Sequence, residues 1–315
     1  MLHVFLLTYN EQDLWCNMYP AEFVEQQFKP HNIHFVVLDN GNQPKMKAWC
    51  EQHGYTYYAS EYNIGSAGGY NWMFKVANDM GLDNAVLIQA DVEMSNAMPL
   101  LLTYKATEAL GDTHFICWPQ HLDNYWLDKE LHKPWDHNIH NLGNIVGFKP
   151  KVMADKDCYF DDNYVVTHFD DVEFIMYCRG TGKMKWINLP YMMCMNEQYY
   201  EPYSLHSDVI PPHNAFVINS SMFQLTVHHA SMLIDKATKG IENSHGPWYD
   251  YNKPYYDHVV ANNGQRLPYD PSRWEQHGYP PHATQYEIDR FFSQFPFLKR
   301  ESIWQTYLSS PGVRT

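Results

Sequence analysis

Acidic and amide side chains stand at several positions where a predicted strand ends. The first is Asp39, which follows the apolar segment 33–38 and heads an Asp-Asn-Gly turn signal. Its carboxylate could accept hydrogen bonds from a ribose or from a base N–H. It could equally close an Asx turn on its own backbone. The residue types at this position leave both roles open.

A glycine-rich stretch, residues 63–71, follows the third predicted strand and opens a predicted helix. Glycines let the backbone approach a ligand closely, and a helix N-terminus attracts phosphate. The stretch matches neither the G-x-G-x-x-G fingerprint nor the Walker A loop, which requires Gly-Lys-Ser/Thr. By itself it is therefore an unspecific signal for a phosphate-binding loop.

Asp91 and Glu93 follow the fourth predicted strand. Two carboxylates at this spacing can hold a divalent metal ion between the protein and a diphosphate. Oxygen ligands favour Mg²⁺ or Mn²⁺ over zinc. The alternative is an acidic pair that is solvated in a loop.

Three carboxylates crowd the start of a predicted helix over residues 172–179. They are Asp170, Asp171 and Glu173. One of them could act as a general base that is aimed into a cleft. The alternative is that they only stabilise the positive end of the helix dipole.

The hydrophobic pattern predicts a scaffold that gathers these groups. Apolar segments alternate with helix-like stretches, which indicates right-handed crossovers and a mostly parallel sheet. The predicted strands are Leu2–Thr8, 33–38, 55–59 and 85–88, and the predicted helices are Pro44–His53, 70–80 and Met98–Leu110. In such sheets ligands bind at the carboxyl ends of the strands, where Thr8, Asn10, Asp39 and Asp91 fall.

The alternation weakens after about residue 190, and a Tyr-, His- and Asn-rich stretch with many prolines follows. We predict a helix at 220–236 and two short helices near 285–295 and 299–308. For residues 251–264, a Tyr-rich packing loop is one structure that the sequence allows. This part of the chain is expected to pack on the sheet and to cover the site.

The composition excludes several classes of protein. The chain has 315 residues, of which 45% are hydrophobic and 18% charged, so it is not a disordered chain. Its net charge of −14 argues against broad, charge-driven binding to nucleic acid. The six cysteines form no C-x-x-C pair, which supports neither a zinc ribbon nor a disulfide framework. A reducing cytoplasm is the expected location.

Taken together and in order, the motifs resemble glycosyltransferase family 2, the inverting enzymes of the GT-A fold. Residues 7–10 resemble its first strand and nucleotide loop, and residues 37–41 its second strand with the Asp-Asn-Gly signature. Residues 63–71 are similar to the Asn-x-Gly-x-x-Gly-Gly-x-Asn stretch of its rhamnosyl- and galactofuranosyl-transferase-like branch. A block within residues 147–179 resembles the family's acidic catalytic block, and the resemblance covers roughly residues 1–195.

The resemblance implies an α/β fold of the GT-A type, with a mostly parallel Rossmann-like sheet and helices on both faces. Residues 1–195 would form the nucleotide-sugar-binding and catalytic core, and residues 196–315 an acceptor-binding region packed on it. The donor would be a nucleotide-diphosphate sugar, with UDP or dTDP favoured. It is expected to bind at Thr8, Asn10, Asp39, Asn63, Gly69 and Asn71.

The same resemblance implies a single in-line displacement that inverts the anomeric carbon. Asp91, helped by Glu93, would hold Mn²⁺ or Mg²⁺ at the leaving diphosphate. Asp171 would take the proton from the acceptor hydroxyl, with Asp170 as its rival for that role.

Two departures from the family pattern stand out. The first Asp of the Asp-x-Asp metal motif is Gln89 here, which leaves Asp91 as the direct ligand. The late His of the family is missing from the segment 194–196, which reads Cys-Met-Asn. His206 and His213 follow and could substitute, although a surface position is the alternative for each.

The acceptor stays open between a saccharide and a hydroxymethyl-pyrimidine base in phage DNA, which would place the enzyme in the host cytoplasm. The second option rests on a composition compatible with a bacteriophage enzyme, and base flipping would be its physical route. Two other functions compete. A catalytically silent glycan-binding module is favoured by Gln89. A nucleotidyltransferase is disfavoured, because no glycine-rich loop with a basic residue lies between Tyr9 and Asp13.

Overall fold

The computed structural model describes residues 1–9, 11–60, 63–118, 144–165, 169–189, 216–219, 222–227 and 247–275. Asn10, His206, His213 and the two short helices predicted near 285–295 and 299–308 lie outside these residues. Among the described residues, no helix is long and apolar enough to cross a membrane.

Ten strands and nine α-helices lie in these ranges. The strands are β1 Leu2–Thr8, β2 Ile33–Asp39, β3 Thr56–Ala59, β4 Ala85–Gln89, β5 Val92–Met94, β6 His114–Trp118, β7 Ile145–Phe148, β8 Lys185–Asn188, β9 Phe216–Asn219 and β10 Gln224–Val227. The helices are α1 Gln12–Met18, α2 Ala21–Phe23, α3 Pro44–His53, α4 Gly65–Asp79, α5 Met98–Leu110, α6 Pro150–Asp155, α7 Asp170–Gly180, α8 Pro247–Ala261 and α9 Ser272–Glu275. A π-helical turn, Val24–Phe28, and a 3-10 turn, Lys29–His31, continue α2.

Seven strands form the main sheet, in the order β3-β2-β1-β4-β7-β6-β8. All neighbours pair in parallel except β7, which runs antiparallel to both β4 and β6. A small antiparallel sheet joins β5, β10 and β9. The predicted α/β class with a mostly parallel sheet is confirmed.

The interior strand β1 is apolar on both faces because helices cover both faces of the sheet. Val4 and Leu6 belong to a core that includes residues of α1, α3 and α5. Phe5 points the other way, into a core that includes residues of α4, α6 and α7. Because successive side chains point to opposite faces of the sheet, β1 contributes residues to two separate cores.

Two sequence predictions in the second half of the chain need correction. The helix predicted at 220–236 is wrong in the part that the structure describes. There, Gln224–Val227 is a strand that pairs with both β5 and β9. Pairing with a strand far away in the sequence outweighs the local helical spacing there. Most of the segment 251–264 belongs to helix α8 rather than to a packing loop, although Pro254 lies inside that helix.

Helix α4 packs closely on β1 at Gly69. A Cβ added to Gly69 would lie 2.6 Å from Leu7 Cδ1, whereas one added to Gly68 would lie no closer than 3.5 Å to Ile64 Cβ. Gly69 thus sets the distance between helix and sheet, and its neighbour does not.

We predict that Gly69→Ala and Gly68→Ala change stability in opposite directions. Overpacking at Gly69 is expected to lower the free energy of unfolding by about 1–3 kcal/mol. Gly68→Ala is the matched control and should raise it by up to about 1 kcal/mol, because alanine favours the helix. Urea denaturation of both variants measures the difference. Equal effects of the two substitutions would contradict the close packing at Gly69.

Candidate active site

Three of the predicted acids, Asp91, Asp170 and Asp171, lie close enough to the Tyr70 hydroxyl to act on it electrostatically. Tyr70 lies in the second turn of α4, and its hydroxyl accepts a hydrogen bond from Gln89 Nε2 at 3.4 Å. Burial raises the pKa of Tyr70, and the negative charges of Asp170, Asp171 and Asp91 raise it further. Carboxylates from two distant sequence blocks therefore share one environment.

The Asp170–Asp171 pair forms the first turn of α7. The Asp170 carboxylate is only 4% exposed and accepts a hydrogen bond from the Ser66 hydroxyl. Burial and the neighbouring charge of Asp171 raise the pKa of Asp170 to about 7. Asp171 is partly exposed, and its Oδ1 accepts a hydrogen bond from the Val172 amide at 2.8 Å. Asp171 is thus the member of the pair that a substrate can reach.

The backbone that enters α7 is strained. Phe169 precedes the acidic pair and has a φ of +67°, a conformation that bulky residues rarely adopt. Such strain costs on the order of 1–3 kcal/mol and persists only where the surroundings determine it. The Phe169 ring stacks on Tyr256, with ring centroids 4.7 Å apart and planes inclined by 23°.

Asp91 follows β4, is 8% exposed, and lies close to an acid that sequence analysis missed, Glu11. The Glu11 carboxylate accepts hydrogen bonds from the Thr8 hydroxyl, at 3.1 Å, and from the Tyr9 amide. Burial raises the pKa of Glu11 to about 8, and the charge of Asp91 contributes. The feature of the sequence that could have indicated Glu11 is its position between β1 and α1.

Glu93 does not lie in a loop. It is the middle residue of β5, where it pairs with Thr226 of β10. Burial raises the pKa of Tyr19, and the charge of Glu93 raises it further. Glu93 is therefore close to Tyr19, whose hydroxyl donates to the Val92 carbonyl at 2.6 Å.

The donor set at Asp91 suits a hard divalent cation. In the described part of the chain, no three His, Cys, Asp or Glu side chains are arranged to hold a metal ion. Mg²⁺ in proteins is commonly bound by one or two carboxylates together with substrate phosphates and water. Asp91 therefore fits an ion that is shared with a diphosphate, and the described residues alone do not complete a metal site around it.

Asp39 is fully buried, and its carboxylate accepts four hydrogen bonds. Oδ1 accepts from the Gly41 amide at 2.9 Å and from Gln43 Nε2 at 3.2 Å. Oδ2 accepts from the Gln43 amide at 2.5 Å and from the Tyr57 hydroxyl at 2.8 Å. A carboxylate has about four acceptor positions, so these donors occupy them all. The geometry is that of an Asx turn.

The adjacent Asn40 differs from Asp39. Its Nδ2 donates to the Gly65 carbonyl at 3.2 Å, while its buried Oδ1 accepts no hydrogen bond from any residue that the structure describes. An open acceptor at the end of β2 therefore belongs to Asn40, which sequence analysis did not select.

The predicted donor-binding residues of the glycine-rich stretch make framework contacts. The Asn63 Oδ1 accepts from the Gly65 amide at 2.8 Å, and Gly65 has a φ of +78°. The stretch thus forms the first turns of α4, which begins five residues earlier than predicted. Asn71 holds a distant segment, because its amide donates to the Phe160 carbonyl at 3.0 Å and its Oδ1 accepts from the Phe160 amide at 2.8 Å.

Residues from the C-terminal part of the chain reach the same region, and the sequence did not single out Arg266 among them. Arg266 donates from Nε and Nη2 to the two carboxylate oxygens of Glu173, both at 2.8 Å, and from Nη1 to the Tyr159 carbonyl at 2.7 Å. Burial lowers the pKa of Arg266, but the Glu173 carboxylate outweighs burial, so that the pKa is raised overall. Glu173 is fully buried, so it is a structural partner and is not available as a base.

Comparisons with known proteins give a likeness of shape only. No family model matches the sequence, and no curated protein matches it. Similar solved structures include S. aureus TarS in complex with UDP, at 10% identity over 60% of this chain and a TM-score of 0.38. The chain spans 58% of that TarS structure.

Two further similar structures are matched over a larger share of their own length than that TarS structure is. Mannosyltransferase PcManGT from Pyrobaculum calidifontis, in complex with GDP-Man and Mn²⁺, is 13% identical over 98% of this chain and 83% of its own, with a TM-score of 0.42. Glucosyl-3-phosphoglycerate synthase from Mycobacterium tuberculosis is 11% identical over 60% of this chain and 70% of its own, with a TM-score of 0.41. At these identities and scores the likenesses assign neither a family nor an activity.

We predict that Asp170 makes stability fall as the pH rises from about 4 to 7. Its pKa is about 7 in the folded protein, against about 3.9 in an unfolded chain. The protonated form therefore stabilises the fold fully below pH of about 4, and this contribution is lost as the pH rises through 7. The slope from one such group is at most about 1.4 kcal/mol per pH unit.

Urea denaturation of Asp170→Asn and the wild type, at intervals across this range, tests the prediction. The asparagine cannot ionise, so the difference in unfolding free energy between the two proteins should change with pH. Asp155→Asn is the control, because the Asp155 side chain is 61% exposed and pairs only with Lys151 among the described residues. Parallel curves for wild type and Asp170→Asn would show that Asp170 titrates normally.

Proposed function

We propose that the protein is a glycosyltransferase that moves a sugar from a nucleotide-diphosphate donor to an acceptor hydroxyl, with inversion. The observation that carries this proposal is that Asp91 and the Asp170–Asp171 pair all act electrostatically on the Tyr70 hydroxyl. A metal-binding acid and a base pair at one sheet edge are what a displacement of a diphosphate by a hydroxyl requires. The resemblance of the same motifs to glycosyltransferase family 2 supports it.

Asp171 acts as the general base in this proposal. It is partly exposed at the N-terminus of α7, where the helix dipole favours a negative charge. Two adjacent carboxylates do not ionise independently. Asp170, with a pKa of about 7, holds a proton over part of the neutral range, and this leaves the charge on Asp171. Asp171 then takes the proton from the acceptor hydroxyl as that oxygen attacks the anomeric carbon.

Asp91, helped by Glu93, would hold Mn²⁺ or Mg²⁺ at the donor diphosphate. When bound, the ion supplies Lewis-acid stabilisation of the charge on the leaving group. The donor, with UDP or dTDP as the favoured nucleotide, would lie at the carboxyl ends of β1 and β2 and against the first turn of α4. In that position Thr8, Asp39, Asn63, Gly69 and Asn71 shape the walls of the nucleotide site.

A saccharide is the favoured acceptor, since the net charge of −14 opposes the approach of DNA. A hydroxymethyl-pyrimidine in phage DNA is the second candidate acceptor, and base flipping would bring it to Asp171. Either acceptor would be met in the cytoplasm.

A catalytically silent glycan-binding module is the second candidate function. One observation favours it, namely that a neutral amide, Gln89, stands where the family carries the first metal-binding Asp and donates to Tyr70. Metal-dependent hydrolysis of the donor separates the two functions, because only the enzyme turns the donor over.

A thermal-shift panel of UDP, GDP, dTDP and CDP, each with Mn²⁺ and with EDTA, tests donor binding first. A ligand that binds only the native state raises the melting temperature by mass action. We expect one nucleotide to give a shift that EDTA abolishes in the wild type and that Asp91→Asn lacks. If no nucleotide shifts the melting temperature, the assignment of a nucleotide site at this edge is wrong.

Asp171→Asn should lower turnover by about 10²–10⁴-fold, because general-base catalysis contributes that much. Nucleotide binding should stay unchanged, since asparagine keeps the size of the side chain and the nucleotide does not contact it. Steady-state transfer assays and the thermal-shift panel measure the two quantities. Asp155→Asn is the matched surface control, and turnover at the wild-type rate by Asp171→Asn would exclude Asp171 as the base.

A further inference from the structure

We infer that Tyr256 and Arg266 are positioning residues that fix the rotation of α7 and thereby the direction of the Asp170–Asp171 carboxylates. We call these two residues the brace. The inference rests on the proposed function for its catalytic consequence, but its structural basis is independent of the substrate.

The brace holds the start of α7 and one of its faces. Glu173 and Tyr177 are four residues apart in α7 and lie one above the other on that face. Phe169 immediately precedes the helix and has a φ of +67°. Tyr256 stacks on Phe169, while Arg266 forks onto Glu173. The Arg266 guanidinium also lies over the Tyr177 ring, 3.6 Å from its centroid.

The side of α7 that faces the sheet carries Phe174. Burial raises the pKa of Tyr256 and the charge of Asp171 raises it further, so Asp171 is not remote from the brace. Phe174, three residues after Asp171, is fully buried in the core beneath α4 and stacks on Phe160 with ring centroids 4.1 Å apart. A small rotation of α7 about its axis would therefore move Asp171 away from the cleft. Rotation is opposed on the far side by the brace, whose fork on Glu173 has a fixed planar geometry.

Strain at the start of α7 makes the brace necessary. Phe169 would leave its positive φ if its ring were free to move, and the peptide that begins the acidic turn would rotate with it. The Phe169 carbonyl accepts the Glu173 amide at 2.9 Å, so the Tyr256 and Arg266 contacts act on one connected turn. Losing either contact is expected to disturb the same two carboxylates.

Three variants separate positioning from general stability. Arg266→Lys keeps the charge but cannot form the planar fork, and Tyr256→Leu removes the ring stacked on Phe169. Tyr256→Phe keeps that ring and is the conservative rescue. Arg273→Lys is the matched control, because Arg273 lies in the same C-terminal segment and donates to the Asn163 carbonyl at 2.8 Å, with no described contact to α7.

The first readout is catalytic. Arg266→Lys and Tyr256→Leu should lower kcat by roughly tenfold to a hundredfold, as expected for a misplaced catalytic group. The KM for the donor and its thermal shift should stay near the wild-type values. Tyr256→Phe and Arg273→Lys should keep kcat near the wild-type value. An equal loss of kcat in Arg273→Lys and Arg266→Lys would show that the brace contributes only general packing, and it would overturn the inference.

The second readout needs no substrate. Carboxyl-carbon NMR follows the titration of Asp170, which is faced by Asp171, the Ser66 hydroxyl and Tyr70. Arg266→Lys and Tyr256→Leu should shift its midpoint, and Tyr256→Phe and Arg273→Lys should not. An unchanged midpoint in both brace variants overturns the inference. If the wild type transfers no sugar, the proposed function fails, while this titration still decides the inference.

Discussion

Burying several carboxylates at one edge of a sheet is electrostatically unfavourable, and the site is built around that constraint. A buried charge needs hydrogen-bond donors, an opposite charge or a proton. Asp39 is satisfied by four donors, and Glu173 by the Arg266 fork. Asp170 has a serine hydroxyl and a raised pKa, so it can hold a proton instead. Partly exposed Asp171, the proposed base, is left to carry the negative charge.

The same constraint explains why the C-terminal part of the chain packs where it does. An unpaired Glu173 charge in the core would cost several kcal/mol, and Arg266 supplies the opposite charge at that point. Arg266 comes from beyond α8, more than ninety residues along the chain, because the nearer elements described here offer Glu173 no such fork. Its aromatic neighbour Tyr256 meets Phe169 at the start of the same helix. One electrostatic requirement thereby ties the distal segment to the turn that carries the proposed base.

The parts of the molecule that follow local rules could be predicted from the sequence. Strands such as β1 and β2 have apolar runs that end in polar residues. Long-range partners could not be predicted, because nothing near Glu173 indicates Arg266 and nothing near Asp91 indicates Glu11. The strand β10 was missed for the same reason, since its partner β5 lies more than a hundred residues earlier.

The role of Asp39 shows a different limit. Its residue type and strand-end position are the same whether it binds a nucleotide or closes a turn. Only the count of donors around it, including the Tyr57 hydroxyl from the neighbouring strand, shows that its acceptor positions are filled. The Asp-Asn-Gly sequence at this site therefore fixes the shape of the turn, and the adjacent Asn40 has the open acceptor among the described residues.

Gln89 fits the electrostatics of this edge better than the Asp that the family motif would place there. Asp91, Asp170 and Asp171 already act on Tyr70, and another carboxylate beside that hydroxyl would repel all three. A neutral amide adds no charge and donates a hydrogen bond to the Tyr70 oxygen. Glu11, whose pKa of about 8 lets it hold a proton near Asp91, adds a carboxyl group with little added charge. The departure from the motif is thus consistent with an active site in which the acids are crowded.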